Sequence, residues 1–150
     1  MYAALGETQA EDFGLPQNLV EIEARDDEIE FSIASEGGII ELVVHLEGAS
    51  IDDARSTARA IADRINELLM RARAELVTAF LPVVNGGYLQ EGDPPVTAHS
   101  FLERAVLSGL GSDCDGNLSF YFDDDDMLWG HQMILSADLA SDDWSSTTWG

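Results

Sequence analysis

At Ser50 the spacing of apolar residues changes from two to between three and four, and this switch constrains the fold more than any other feature. Before it, three runs alternate. Leu19 to Arg25 sets Val20, Ile22 and Ala24 against Glu21 and Glu23. Glu28 to Ala34 sets Ile29, Phe31 and Ile33 against Glu28, Glu30 and Ser32. Ile39 to Glu47 sets Ile40, Leu42, Val44 and Leu46 against Glu41, Val43, His45 and Glu47. Asp26-Asp27 and Glu36-Gly37-Gly38 punctuate the runs as turns. Successive side chains of a strand point to opposite faces, so the pattern predicts an antiparallel three-strand meander with one wet face.

After the switch, Ser50-Ile51-Asp52-Asp53 reads as a capping box with Asp in the usual place of Glu. Ile51, Ala54, Ala58, Ile61, Ile65, Leu68, Ala72, Leu76 and Phe80 then recur at helical spacing. They predict one amphipathic helix of about 30 residues and roughly 45 Å, kinked near Met70 and ended by Pro82 and Asn85-Gly86-Gly87. Thr97 is expected to cap a shorter helix, Ala98 to Ser108, stopped by Gly109 and Gly111. Leu118 to Phe122 predicts a strand, Asp123 to Asp126 a turn, Met127 to Leu139 a returning strand, and Ser145 to Trp149 a last one. The expected class is α+β: an antiparallel sheet, made of the N-terminal meander and the C-terminal hairpin strands, packed against one long and one short helix. Residues 1–17 are expected to form a loose arm and 18–150 a single domain.

Charge narrows the partners. There are 29 acidic residues against seven basic ones, giving a net charge of −22. All the basic residues are Arg, and none follows Arg104. Such a field repels nucleic acid, whose phosphates are bound by cations, and repels anionic membrane surfaces. It serves solubility, and it attracts a basic protein. Candidate partner-binding groups are the glutamates of the wet face, Glu21, Glu23, Glu28, Glu30, Glu41 and Glu47. A second set comprises the tip Asp123, Asp124, Asp125 and Asp126, with Asp142, Asp143 and Trp144. No apolar run approaches a membrane span and the first residues lack the pattern of a secretory signal, so the cytoplasm is the expected location. A lone Cys114 closes no disulfide within the chain.

Catalytic patterns are thin. Asp113-x-Asp115-Gly116-Asn117 has its Gly too early for a calcium loop, and position twelve is Asp124 where a Glu is needed. Four successive carboxylates on a tight turn diverge, so no metal ligands are assigned. Cys114 stands among aspartates, which raise a thiol pKa. Ser100 follows His99, but adjacency in sequence is not triad geometry. His131 falls, by alternation, on the side of Trp129, Met133 and Leu135, and is expected to face the core. No cofactor is implied.

Three stretches carry a resemblance. Asn85 leads to the acidic, Pro-containing Gln90-Glu91-Gly92-Asp93-Pro94-Pro95, and Phe101-Leu102-Glu103-Arg104 follows. Then come Asp115-Gly116 and the run Phe120-Tyr121-Phe122-Asp123-Asp124-Asp125-Asp126-Met127-Leu128-Trp129-Gly130-His131. From about Leu81 to Gly150 the chain resembles a family of bacterial proteins with domain of unknown function 2262. Its pattern there is a strand, an acidic turn and aromatic-Trp-Gly-His, with Trp129, Gly130 and His131 as the signature. Leu128 stands where the family often has Phe.

The resemblance implies no activity. Small, acidic proteins of this kind look like immunity proteins, and the leading expectation is a non-catalytic domain that binds and neutralises a basic toxin domain. Alternatives are a hydrolase or metal-dependent enzyme using His131 and nearby aspartates, and a DNA mimic that occupies a nucleic-acid-binding protein.

Overall fold

The computed structural model describes residues 17–89 and 91–149. The expected N-terminal arm lies outside them apart from Gln17. Seven strands form one sheet in sequence order: β1 (Leu19–Ala24), β2 (Glu28–Ser35), β3 (Gly38–His45), β4 (Val106–Ser112), β5 (Asn117–Asp123), β6 (Gln132–Asp138) and β7 (Asp143–Trp149). Neighbours are antiparallel except β3 and β4, which pair in parallel through Leu42–Leu110, Val43–Gly111 and Val44–Ser112. A parallel pair needs a crossover, and α1 (Ile51–Asp63), α2 (Ile65–Val83) and α3 (Ala98–Arg104) supply it. The architecture is α+β.

All three helices lie on one side. Ile29, Phe31, Ile33, Leu42, Val44, Leu118, Phe120, Phe122, Met133 and Leu135 point from the sheet into this layer and are buried. They meet Ala54, Ala58, Ile61, Ile65, Leu68, Ala72, Leu76 and Phe80 from α1 and α2, the stripe read from the sequence. Among the described residues no helix is long and apolar enough to cross a membrane.

The capping box forms: Ser50 Oγ accepts from Asp53 N at 3.1 Å, and Asp53 Oδ2 accepts from Ser50 N at 3.1 Å. The helix breaks at Arg64 (φ −113°, ψ 12°), not near Met70. The buried stripe continues across the break, so both segments stay on the sheet. Pro82 does not end α2, which runs to Val83 and unwinds as one π turn, Val84–Tyr88. Asn85 then pins the following loop, its side chain accepting from Val96 N (2.8 Å) and donating to Val96 O (3.0 Å).

Three further expectations are corrected. The inward residues of β1 are Leu19 and Glu21, while Val20 and Ile22 stay 54% and 55% exposed. Its phase is set from the helix layer: Asn18 Nδ2 donates to Ala62 O at 3.1 Å and Arg55 Nε donates to Glu21 Oε1 at 2.8 Å. A bulge between Glu21 and Glu23 then returns Glu23 to the open face. Second, Ala98 to Ser108 is not one helix. It ends at Arg104, and Val106–Ser112 is a strand that pairs with β5 and, from Leu110 onward, also with β3. Third, the returning strand begins at Gln132; residues 124–131 form a loop.

Candidate functional site

Every position of the sheet that points away from the helices lies on one uncovered face among the described residues. Its centre is the β3–β4–β5 junction, where Gly109 and Gly111 bring no side chain and Tyr121 of β5 spreads across the gap. A Cβ on Gly111 would meet Tyr121 Cε2 at 3.3 Å, so the ring rests almost directly on the backbone. A bulge between Leu107 and Gly109 leaves Ser108 unmatched in the β4–β5 ladder, and Ser108 Oγ donates to Tyr121 O at 2.9 Å. The result is a trough of about 420 Å³ rimmed by Glu28, Glu41, His45, Ser108, Tyr121 and Gln132. His45 Nδ1 lies 3.8 Å from Glu28 Oε1.

The glutamates of the expected wall divide four ways. Glu23, Glu28 and Glu30 stand on the open face, gathered by Arg25 at 3.1, 3.0 and 3.5 Å. That cluster raises the Arg25 guanidinium pKa above its ordinary value, Glu23 contributing most. Glu41 faces the trough and makes no ion pair among the described residues. Glu21 belongs to the helix side, where its hydrogen bond to Arg55 is the main reason that guanidinium is also raised. Glu47 lies beyond β3 in the turn before α1, at φ 47°.

The four-aspartate tip is not a uniform solvated turn. Asp124 is only 6% exposed. Its carboxylate accepts from Leu128 N (2.8 Å), Gly130 N (2.9 Å) and Asp126 N (3.2 Å), while its carbonyl accepts from Met127 N (2.9 Å). Asp125 receives Arg104 of α3, Nε to Oδ2 at 2.9 Å and Nη2 to the carbonyl at 2.7 Å. Asp123 and Asp126 are exposed. The loop they build passes through positive φ at Asp125 (48°), Asp126 (62°), Trp129 (58°) and Gly130 (89°).

His131 does not face the core beside Trp129. It closes this loop, half-buried, its Nδ1–H donating to the Leu128 carbonyl oxygen, and Trp129 is 66% exposed. Since a carbonyl only accepts, Nδ1 is the donor in this contact. Asp142 immediately precedes β7, which Asp143 and Trp144 open, and Asp142 and Trp144 clamp the helix layer. Arg71 Nη1 donates to Asp142 Oδ2 at 3.0 Å, Trp144 Nε1 donates to Asp142 Oδ1 at 3.2 Å, and the Trp144 ring stacks on Phe120 with centroids 5.4 Å apart. The Trp144 and Arg71 hydrogen bonds, in that order, hold the Asp142 carboxyl below its usual range.

Asp113 organises the turn that leads into β5. Its carboxylate accepts from Asp115 N, Asn117 N and Asn117 Nδ2 at 2.8, 3.1 and 2.8 Å. Burial alone would raise that carboxyl, but the Asn117 and Asp115 hydrogen bonds outweigh it and the net shift is downward. Cys114 is pushed up, first by burial and then by Asp53, Asp113 and Asp115, against a hydrogen bond with Thr57. Among the described residues no group of three or more His, Cys, Asp or Glu is placed to hold a metal ion.

Sequence reasoning missed the trough. Its signal was present in Gly109-x-Gly111 opposite an aromatic strand, but those glycines read as a helix stop.

The family model described as "Uncharacterized protein conserved in bacteria (DUF2262)" matches residues 26–146. The match extends past the C-terminal signature to β2, β3 and the long helices. No curated protein and no solved structure matches the chain.

Proposed function

The chain belongs to the DUF2262 family of bacterial proteins, and we propose that it is a non-catalytic domain that docks a basic protein on its open sheet face. The most concrete form of this reading is an immunity protein that neutralises a toxin domain. One observation carries it: the face opposite the helices is uncovered among the described residues and centres on the trough between Glu28, Glu41 and Tyr121. A Lys or Arg side chain entering there would meet carboxylates on one wall and an aromatic ring on another, a combination that favours cations. The net charge of −22 would speed the encounter, and the exposed Val20, Ile22 and Ile39 offer apolar contact around it. Asp123 and Asp126 remain exposed at the β5–β6 end of the sheet, whereas Asp124, Asp125, Asp142 and Trp144 are engaged within the molecule and Asp143 accepts from Ser141 Oγ at 3.2 Å.

The test is co-expression of the neighbouring open reading frame with and without this chain, counting surviving cells. Relief of toxicity by the wild type, lost in Glu30→Lys/Glu41→Lys while the circular dichroism is unchanged, is the expected result. Absence of toxicity overturns the toxin form of the reading. Relief that survives the double reversal overturns the choice of face.

A further inference from the structure

A second cavity of about 700 Å³ lies where β3 and β4 part company; it shares Glu41 and Ser108 with the trough but otherwise has its own lining. The parallel ladder joins only three residues of each strand, Leu42–Val44 and Leu110–Ser112. Toward the other end, the bulge at Ser108 turns β4 away, and Gly38–Ile40 and Val106–Ser108 line opposite walls of the opening. Apart from the bulged Ser108, each segment pairs with its outer neighbour, β2 or β5, but among the described residues neither has a ladder partner on the side facing the cavity. Backbone N–H and C=O groups left in this way need hydrogen bonds, and an added strand is a structure that supplies them in series.

Side chains define the rest. Leu69 and Leu102 from the helices and Leu107 and Phe122 from the sheet make an apolar floor, with the 77%-exposed Ile39 and the exposed Val106 at the mouth. Arg73 of α2 stands at the rim. Among the described residues it is the one arginine with no hydrogen bond or ion pair, in a chain with four acids for every arginine. Two carboxylates also line the cleft: Glu103, 3.3 Å from His99, and Glu41, which the cleft shares with the trough. A cation left open beside an apolar floor calls for a ligand whose negative charge is single and terminal. A cleft in the size range of small-ligand pockets receives the end of a chain more readily than a long segment passing through.

We propose that this cleft binds the carboxyl-terminal residues of an extended peptide. The peptide backbone pairs with the free strand edges, its last apolar side chain covers Leu69 and Leu102, and its carboxylate meets Arg73.

A randomised hexapeptide library with free carboxyl termini, passed over the immobilised full chain, tests this directly. The expected outcome is enrichment of peptides ending in an apolar residue. The best of them, titrated as free acid and as carboxyl-terminal amide, should lose about tenfold or more in affinity on amidation, the usual scale for a charge-assisted hydrogen bond. In Arg73→Gln, an exposed helix position whose folding is checked by circular dichroism, the acid and amide should bind almost equally. No enrichment overturns the proposal. So does indifference to amidation in the wild type, or an Arg73→Gln variant that still prefers the acid. Because Glu30 lies outside this cleft, unchanged peptide binding by Glu30→Lys separates the result from the fate of the acidic-face reading.

Discussion

The glutamates of the N-terminal meander and the aspartates of the β5–β6 loop look alike in composition and do opposite work. Glu23, Glu28 and Glu30 project from strands whose N–H groups are already committed to the ladder, so their carboxylates find side chains, Arg25 for all three and His45 for Glu28, and solvent. Asp124 sits where the chain leaves the ladder, and the N–H groups of Asp126, Leu128 and Gly130 would otherwise be unpaired. A short carboxylate next to free backbone donors becomes scaffolding. A longer one on a strand remains a surface. The same charge is therefore structural in one region and available for recognition in the other.

The largest expected effect breaks this contrast at its centre. Asp124→Ala removes the acceptor of three backbone donors and should cost on the order of 3 kcal/mol in urea denaturation. Asp125→Ala, which removes an exposed pair with Arg104, should cost below about 1 kcal/mol and serves as its control. Equal losses in the two variants would remove the distinction between them.

An intermediate effect sharpens it by pH. The Asp113 carboxyl is lower in the folded chain than its ordinary value of 3.8, so its contribution is fully present above that value. It is lost as pH falls through the lower folded-state pKa. Asp113→Ala should therefore cost about 1 kcal/mol near neutrality, and the gap from wild type should narrow in melts taken progressively below pH 4. A gap that widens in acid would contradict the assignment. The smallest effect is on the meander side: Glu41→Lys should change stability by no more than about 0.5 kcal/mol, because Glu41 has no ion pair to lose. A larger loss of stability would make Glu41 structural, like Asp124.

Legibility followed the same physical line. The meander turns, the capping box, the apolar stripe from Ala54 to Phe80 and the β5 strand were readable because each is set by neighbours within a few residues. The phase of β1 was not. Leu19, Val20 and Ile22 permit either face, and contacts of Asn18 and Glu21 with α1 choose between them. Val106–Ser112 was equally ambiguous: Leu, Val and Ser are compatible with helix or strand over so short a run. The trough followed from that error, since Gly109 and Gly111 acquire meaning only when β4 lies between β3 and β5.

The sequence alone determined the α+β class, the helix that follows Ser50, the family signature and the sign of the field around the molecule. These are local patterns or sums, and they need no knowledge of what lies opposite. Only the tertiary structure decided which acids are scaffolding, where β4 inserts, and that a trough and an open cleft flank the parallel pair. Each depends on which backbone donors remain unpaired after the chain has folded, and that is a property of partners distant in sequence.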